Sequence, residues 1–155
     1  MYYFAYGSNL SHAQMERRCP SSVYIDIARL DGYKLIFCGF SERWNSAGAN
    51  IVAHDNAVVW GALYSLSEAD QFMLDSIEAD QVPSVEQEYV RFTSHVITRT
   101  GNKVEAGIYH SQIKEPLENP GESYLSAMKS GIVDCGLKPY EDIIFSQLRT
   151  TSIGT

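Results

Sequence analysis

The strongest strand signal in the chain is AVVWGALYSL, residues 57–66. Its β-branched and aromatic residues follow one another almost without interruption, which is typical of a strand. Directly after it, Ser67 stands three residues before Asp70, a pattern that resembles a capping box and predicts the start of a helix. We expect that helix to end near Ile77, so a strand followed at once by a helix lies at the centre of the chain.

Further strands are predicted on both sides of this run. In chain order the predicted strands are Tyr2–Ala5, Val23–Leu30, Tyr33–Phe40, Ile51–Ala53, Ala57–Leu66, Tyr89–Thr98 and Val104–His110. The turn signal Asp31-Gly32 predicts that the second and third strands form a hairpin, and Thr100–Asn102 is the turn between the last two. Residues 41–50 are predicted to form a polar loop, with Trp44 at the surface or in a lid, and residues 54–56 a turn.

The predicted helices complete an α+β protein. They run from the N-cap Ser11 to about Arg18, from Ser67 to about Ile77, and from Ser123 to about Ser130 with Gly131 and Gly136 as candidate ends. We therefore predict a small mixed, largely antiparallel, barrel-like sheet of six to seven strands with about three flanking helices. The sequence shows no repeat and no linker, which predicts a single domain over residues 1–155.

The composition is that of a globular protein with an excess of acidic residues. Lys and Arg number 12 against 19 Asp and Glu, which gives a formal charge of −7. Because the only clustered basic pair is Arg17-Arg18, we expect no nucleic-acid partner. The first apolar run is too short for a signal peptide and lacks a basic start, and no stretch reaches the length of a bilayer span. These features predict a cytoplasmic protein without membrane association.

The cysteines and histidines do not predict a metal site. Cys19, Cys38 and Cys135 are odd in number and widely spaced, with no CxxC motif. We expect neither a disulfide framework nor a zinc ribbon, and the four histidines show no close ligand spacing. A thiol–imidazole pair is left open, although a free cysteine is usually a small core residue.

The segment Tyr6–Asn9 is the first candidate for chemistry. It reads YGSN and lies between the first predicted strand and the first predicted helix. Backbone N–H groups in such a turn, with a helix N-terminus behind them, can hold an anionic group. On its own, the segment is more typical of a plain turn between a strand and a helix.

Glu78 is the second candidate, because it follows the apolar Leu74 and Ile77 at the end of a predicted helix. A carboxylate at a helix C-terminus is disfavoured by the helix dipole, and burial would raise its pKa. Either effect would favour a role in proton transfer. The alternative is a solvated glutamate at a helix end. Asp75, three residues earlier, is expected to cap or brace the turn.

Taken in order, three segments of the chain resemble the γ-glutamylcyclotransferase (AIG2-like) family. They are YGSNL at residues 6–10, VWGALY at residues 59–64 and LDSIE at residues 74–78. The resemblance continues through Tyr89-Val90-Arg91 and Ile108-Tyr109 to Tyr124. It therefore covers most of the chain from residue 2 to about residue 136.

The resemblance implies a six-stranded, barrel-like α+β fold with a single cavity. It implies that Glu78 is the general acid and base of the active site. It also implies a set of substrate-binding residues, in which loop N–H groups hold a γ-glutamyl group and tyrosines surround it. These residues are Tyr6, Gly7, Ser8, Asn9, Tyr89, Tyr109 and Tyr124.

The implied reaction uses a nucleophile that the substrate itself carries. The α-amine of a γ-glutamyl group attacks its own γ-carbonyl, closes 5-oxoproline and releases an amine or an amino acid. We therefore expect a small-molecule γ-glutamyl substrate, no cofactor and no metal, and a homodimer is left open. The alternative is a non-catalytic module that binds γ-glutamyl ligands in the same cavity, although the presence of Glu78 argues against it.

Two departures from the family pattern lie directly after Glu78. Ala79 stands where relatives commonly have Gly, and residues 80–88 form a longer stretch than in animal relatives. Because this stretch follows the implied acid–base residue, we expect it to bear on which substrate is used.

Overall fold

The computed structural model of the chain describes residues 1–80 and 89–148. Its strands are β1 (Tyr2–Ala5), β2 (Val23–Ser41), β3 (Ser46–Ser65), β4 (Tyr89–Thr98) and β5 (Lys103–Ser111). Its α-helices are α1 (His12–Arg18), α2 (Glu68–Asp80), α3 (Glu122–Cys135) and α4 (Glu141–Ile144). Short 3-10 turns cover Ser8–Leu10, Lys138–Tyr140 and Phe145–Gln147. The expectation for residues 80–88 falls, beyond Asp80, outside the described residues.

The five described strands close into a barrel in the order β1-β3-β2-β4-β5. Every neighbouring pair is antiparallel except β1 and β5, which close the barrel in parallel with Tyr3 opposite Gly107. The α+β class and the barrel-like sheet are therefore as predicted. Among the described residues, the sheet has five strands and is accompanied by four α-helices. The sequence predicted six to seven strands and about three helices.

The predicted hairpin of Val23–Leu30 with Tyr33–Phe40 is wrong, because both segments belong to the single long strand β2. The pairing with β3 passes from Asp31 opposite Val58 to Tyr33 opposite Ala53, so the chain bulges here instead of turning back. Gly32 lies in the left-handed region with a φ of +82°, the conformation that such an irregularity requires and that glycine adopts easily.

The turn of this hairpin lies further along, inside the segment that was predicted to be a loop. Residues 42–45 form it, and Asn45 has a φ of +52°. The rest of the predicted loop, from Ser46 onward, is the first part of β3, and the predicted turn at residues 54–56 lies within the same strand. Four predicted strands thus merge into two, which accounts for the lower strand count.

Helix α3 runs through Gly131, so the candidate end at that position is wrong. The helix ends at the other candidate, Gly136, which is left-handed with a φ of +74°. At Gly131 a Cβ atom would lie 2.3 Å from the backbone carbon of Leu10, so only glycine lets α3 pack this closely on the Ser8–Leu10 turn.

One continuous apolar core joins the barrel interior to the helices. Phe4 of β1, Ile108 of β5 and Met128 of α3 are all fully buried in it. The hydroxyl of Tyr64 on β3 donates to the backbone oxygen of Asn9 over 3.2 Å, so the core also holds the turn after β1 in place. Within residues 1–80 and 89–148, no helix is both long and apolar enough to cross a membrane.

Candidate active site

A cavity of about 50 Å³ opens where β1 passes into the Ser8–Leu10 turn. It lies between this turn, the last turn of α2 and the ends of several strands. All eight residues that the resemblance implied as site residues line it. These are Tyr6, Gly7, Ser8, Asn9, Glu78, Tyr89, Tyr109 and Tyr124.

Glu78 reaches the cavity from the last turn of α2. Its burial follows from the helical period, because Leu74 lies four residues earlier on the same face and is fully buried in the core. Glu78 itself is only 7% exposed, and its Oε1 accepts a hydrogen bond from Asn9 Nδ2 over 3.3 Å. Among the described residues that line the cavity, Glu78 is the only one with a charged side chain.

The side-chain amide of Asn9 is held in one orientation. Its Oδ1 accepts hydrogen bonds from Gln14 Nε2 over 2.8 Å and from Arg18 Nη1 over 3.0 Å. Because the guanidinium group of Arg18 can only donate, the atom of Asn9 that it contacts is the oxygen, and the other end of the amide is its NH₂ group. Asn9 Nδ2 therefore donates to Tyr3 Oη over 2.9 Å as well as to Glu78.

The turn before Asn9 needs a glycine at position 7. A Cβ atom on Gly7 would lie 2.6 Å from Tyr124 Oη and 3.2 Å from the Cβ of Ala49. The tyrosine hydroxyl accepts the backbone N–H of Ala49 over 3.0 Å. Burial raises the pKa of Tyr124 to about 12, although backbone hydrogen bonds from Ala49 and Ser8 work in the opposite direction. Tyr124 is therefore a neutral phenol at physiological pH.

Two further tyrosines are fixed by backbone carbonyl groups. Tyr6 donates its hydroxyl hydrogen to the carbonyl of Tyr109, and Tyr89 donates to the carbonyl of Ala49 over 2.7 Å. Burial, and then the charge of neighbouring groups, raises the pKa of both Tyr6 and Tyr89 well above its usual value. Both side chains are thus neutral and fixed in direction.

Tyr109 is anchored outside the cavity by a polar cluster on α2 and β4. Its hydroxyl donates to Asp75 Oδ1 and accepts from Gln71 Nε2 over 2.7 Å. Asp75 also receives two hydrogen bonds from Arg91, over 3.0 and 3.2 Å. Partial burial raises the pKa of Asp75, but the hydrogen bonds from Arg91 and Tyr109 outweigh it and leave that pKa below its usual value. Asp75 was expected to cap or brace the turn; its carboxylate instead connects α2 to β4 and β5 through Arg91 and Tyr109.

The residues that surround Asn9, namely Tyr3, Gln14 and Arg18, were missed from the sequence. Gln14 and Arg18 lie four residues apart on α1 and so share one helix face, which is the one signal that could have grouped them. That this face meets Asn9 depends on how α1 packs, and no local pattern shows it. Trp44, expected at the surface or in a lid, is half-buried and packs edge-on against Tyr124 with ring centres 5.3 Å apart.

One of the thiol–imidazole pairs left open by the sequence does form, but not at the cavity. Cys135 Sγ lies 3.4 Å from His12 Nε2 and 3.3 Å from the carbonyl oxygen of Leu10. Burial raises the pKa of the Cys135 thiol to about 12, so the sulfur remains a protonated hydrogen-bond donor. Among the described residues, no group of three or more His, Cys, Asp or Glu side chains could hold a metal ion.

Comparison with known proteins gives the same assignment over most of the chain. Residues 3–126 match the family model described as "Gamma-glutamyl cyclotransferase, AIG2-like". A mouse protein named gamma-glutamylcyclotransferase is 36% identical over 111 residues, which are 69% of this chain and 57% of the mouse protein. A bovine protein of the same name is 30% identical over 139 residues, which are 87% of this chain and 71% of the bovine protein.

The fold agrees with the sequence comparison. A solved structure named gamma-glutamyl cyclotransferase superposes with a TM-score of 0.85 at 25% identity. The superposition covers 100% of this chain and 92% of that structure. By contrast, the match to the mouse protein spans less than two thirds of that protein's length. The family model covers more than half of the chain, and the chain therefore belongs to the γ-glutamyl cyclotransferase, AIG2-like family.

Proposed function

We propose that this protein is a γ-glutamylcyclotransferase, which converts a γ-glutamyl amide into 5-oxoproline and a free amine. The observation that carries the proposal is the position of Glu78. Its side chain is only 7% exposed and lines the same cavity as five tyrosines, Tyr3, Tyr6, Tyr89, Tyr109 and Tyr124. Such a site offers one charged group and many fixed hydrogen-bond partners, which suits a reaction whose nucleophile belongs to the substrate.

The reaction balances without any other reactant. The bond between the α-nitrogen and the γ-carbonyl carbon forms, and the bond between that carbon and the departing nitrogen breaks. At neutral pH the α-ammonium loses two protons on its way to the lactam N–H, and the departing nitrogen gains the same two. No water, oxidant or reductant is consumed.

Glu78 is the group that moves these protons in the proposed mechanism. As a carboxylate it takes a proton from the α-ammonium, which frees the nitrogen lone pair for attack. As a carboxylic acid it then gives that proton to the departing nitrogen, and positioned proton transfer of this kind contributes about 10²–10⁴-fold in rate. The Asn9 amide donates to Glu78 Oε1 and keeps the carboxylate directed into the cavity.

The turn at residues 7–9 and the tyrosines supply orientation. The backbone N–H groups of the turn hold the γ-glutamyl group, and the oxygen of Tyr124 already accepts the Ala49 N–H, so its own O–H is directed to other acceptors. Holding the α-amine against the γ-carbonyl replaces a search through many chain conformations. In the best cases such orientation is worth roughly 7–11 kcal/mol of the barrier.

The test is 5-oxoproline formation from a panel of γ-glutamyl amino acids, amines and peptides, measured by mass spectrometry. We expect release by the wild-type protein and a fall of about 10²–10⁴-fold in Glu78→Gln, which keeps the shape and removes the base. Glu68→Gln is the matched control, because Glu68 lies on the same helix and is exposed. It should keep wild-type activity.

Ligand binding by the same variants separates the enzyme from a non-catalytic module. Calorimetry on Glu78→Gln should still detect the γ-glutamyl amides that the wild type consumes. Binding by both proteins without any 5-oxoproline from the wild type would show a binding module instead of an enzyme. Absence of both binding and release would contradict the γ-glutamyl assignment altogether.

A further inference from the structure

The cavity has two chemically different ends. At the closed end, Tyr3, Asn9 and Glu78 are 5%, 3% and 7% exposed and form one hydrogen-bonded group. At the open end, Phe40 near the end of β2 is 44% exposed and Ile113, just beyond β5, is 38% exposed, although both line the cavity. The cavity therefore leads from a polar, buried end to an apolar mouth.

The proposed chemistry fixes which end each half of the substrate occupies. The α-nitrogen must reach Glu78, and the γ-carbonyl carbon is joined to that nitrogen in the five-membered ring that forms. The glutamyl group therefore fills the closed end. The substituent on the departing nitrogen is left to extend towards the mouth, past Phe40 and Ile113.

Among the described residues that line the mouth of the cavity, the side chains are apolar or uncharged. The residues that line the cavity there include Gly39, Phe40, Ser41 and Ile113, none of them charged. Lys114 is the next residue along, but it is not among the lining residues, and its ammonium group donates to the backbone oxygen of Ser111. A carboxylate on the departing group would lose water at this mouth without meeting a charged side chain among these described lining residues.

We propose that Phe40 and Ile113 form a leaving-group subsite that selects γ-glutamyl amides whose departing amine carries an apolar, uncharged substituent. The proposal rests on the proposed function, because it assumes that the glutamyl group lies at the Glu78 end. It predicts that amides of apolar amines are better substrates than conjugates whose departing group ends in a carboxylate.

Three matched substrates test this subsite: the γ-glutamyl amides of pentylamine, ethylamine and 5-aminopentanoate. The first and third carry chains of the same length and differ in a terminal methyl group against a carboxylate. We expect kcat/KM for the pentylamide to exceed that for the ethylamide by about tenfold or more, because even one methylene group bound in an apolar pocket changes the rate by roughly that factor. The 5-aminopentanoate conjugate should be the poorest of the three.

Substitutions at the mouth should change this ranking. Phe40→Ala and Ile113→Ala should each lower the ratio of pentylamide to ethylamide kcat/KM towards 1. Phe72→Ala is the matched control, because Phe72 is 75% exposed on α2 and does not line the cavity. It should leave the ratio at its wild-type value. A ratio that Phe40→Ala and Ile113→Ala leave unchanged would overturn the subsite.

Binding of the same three amides to Glu78→Gln keeps the two proposals distinguishable. Release of 5-oxoproline with no preference for the pentylamide would overturn the subsite and leave the cyclisation intact. A tighter pentylamide complex with no release by the wild type would support the subsite and contradict the cyclisation. Equal affinities together with equal rates for the three amides would overturn the subsite on both measures.

Discussion

At the scale of single residues, Asn9 links the acid–base candidate to the rest of the cavity. Gln14 and Arg18 donate to its oxygen, and its nitrogen donates to Tyr3 and Glu78. Arg18 also acts through its charge. Burial lowers the pKa of the Arg18 guanidinium, and the nearby Glu78 carboxylate partly restores it. The same attraction must favour the charged form of the carboxylate, so Arg18 is a positioning residue for Glu78.

Replacing Arg18 with Gln should therefore reduce activity and change its pH dependence. Among the described residues, six groups whose pKa the Glu78 charge raises stay neutral at acid and neutral pH. These are Tyr3, Tyr6, Cys19, Tyr89, Tyr109 and Tyr124. Without the Arg18 charge, the acid limb of the kcat/KM profile should move to higher pH.

The neighbouring Arg17 offers the matched control, because it is exposed on the same helix. Arg17→Gln removes the same charge from the protein and should leave both the rate and the acid limb in place. A purely structural role for Arg18 would lower kcat/KM equally at every pH. An unshifted acid limb in Arg18→Gln would thus contradict the charge effect.

At the scale of elements, the ion pair between Asp75 on α2 and Arg91 on β4 ties the helix that carries Glu78 to the barrel. The pKa of Asp75 is lowered in the folded protein. Its stabilising contribution is therefore complete above the unfolded value of about 3.9 and is lost as the pH falls through the lower folded value. We expect Asp75→Asn to lower Tm by roughly 2–4 °C at neutral pH.

The pH dependence of that Tm difference is the diagnostic part of the measurement. The gap between wild type and Asp75→Asn should narrow as the pH is taken from 6 down through the acid range of about 4 and below. Asp142→Asn, at an exposed position on α4, is the control and should leave Tm unchanged. A gap that stays constant down to the lowest pH would show that the carboxylate charge is not what stabilises the contact.

The packing of α3 on the Ser8–Leu10 turn gives a second prediction at this scale. A Cβ atom at position 131 would lie 2.3 Å from both the backbone carbon and the Cβ of Leu10, a clash that only a backbone shift can relieve. Gly131→Ala should destabilise the protein by several kcal/mol, about 3 or more, in urea unfolding. The exposed neighbour Ser130→Ala should change stability by less than about 0.5 kcal/mol. Equal stabilities of the two variants would refute the close packing.

At the scale of the whole molecule, the parts that could be predicted are those whose information is local. The core strand at residues 57–66, the β4–β5 hairpin and the segments around Asn9 and Glu78 are marked by short patterns that keep their meaning in any context. The α+β class follows from them. Their meeting in one cavity was implied by the family resemblance and not by the patterns themselves.

The rest could not be predicted because it depends on pairing and packing. Asp31-Gly32 is typical of a hairpin turn and of a β-bulge alike. Here it is an irregularity within β2, because β3 pairs with β2 on both sides of it. Glycine is typical of a helix end, but Gly131 lies inside α3, where the absence of a side chain lets Leu10 pack against the helix. The contacts of Gln14 and Arg18 with Asn9 arise from the placement of α1, which no local pattern records.

If the Glu78 cavity catalyses an intramolecular cyclisation, water takes no part in the reaction, and the source of the oxygen atoms in the products shows whether it does. The wild-type protein and Glu78→Gln are each incubated with a γ-glutamyl amide in H₂¹⁸O, and the products are analysed by mass spectrometry. We expect unlabelled 5-oxoproline in equal amount to the released amine, no glutamate, and almost no product from the variant. Glutamate that carries ¹⁸O would identify a hydrolase, and undiminished 5-oxoproline from the variant would remove Glu78 from the mechanism.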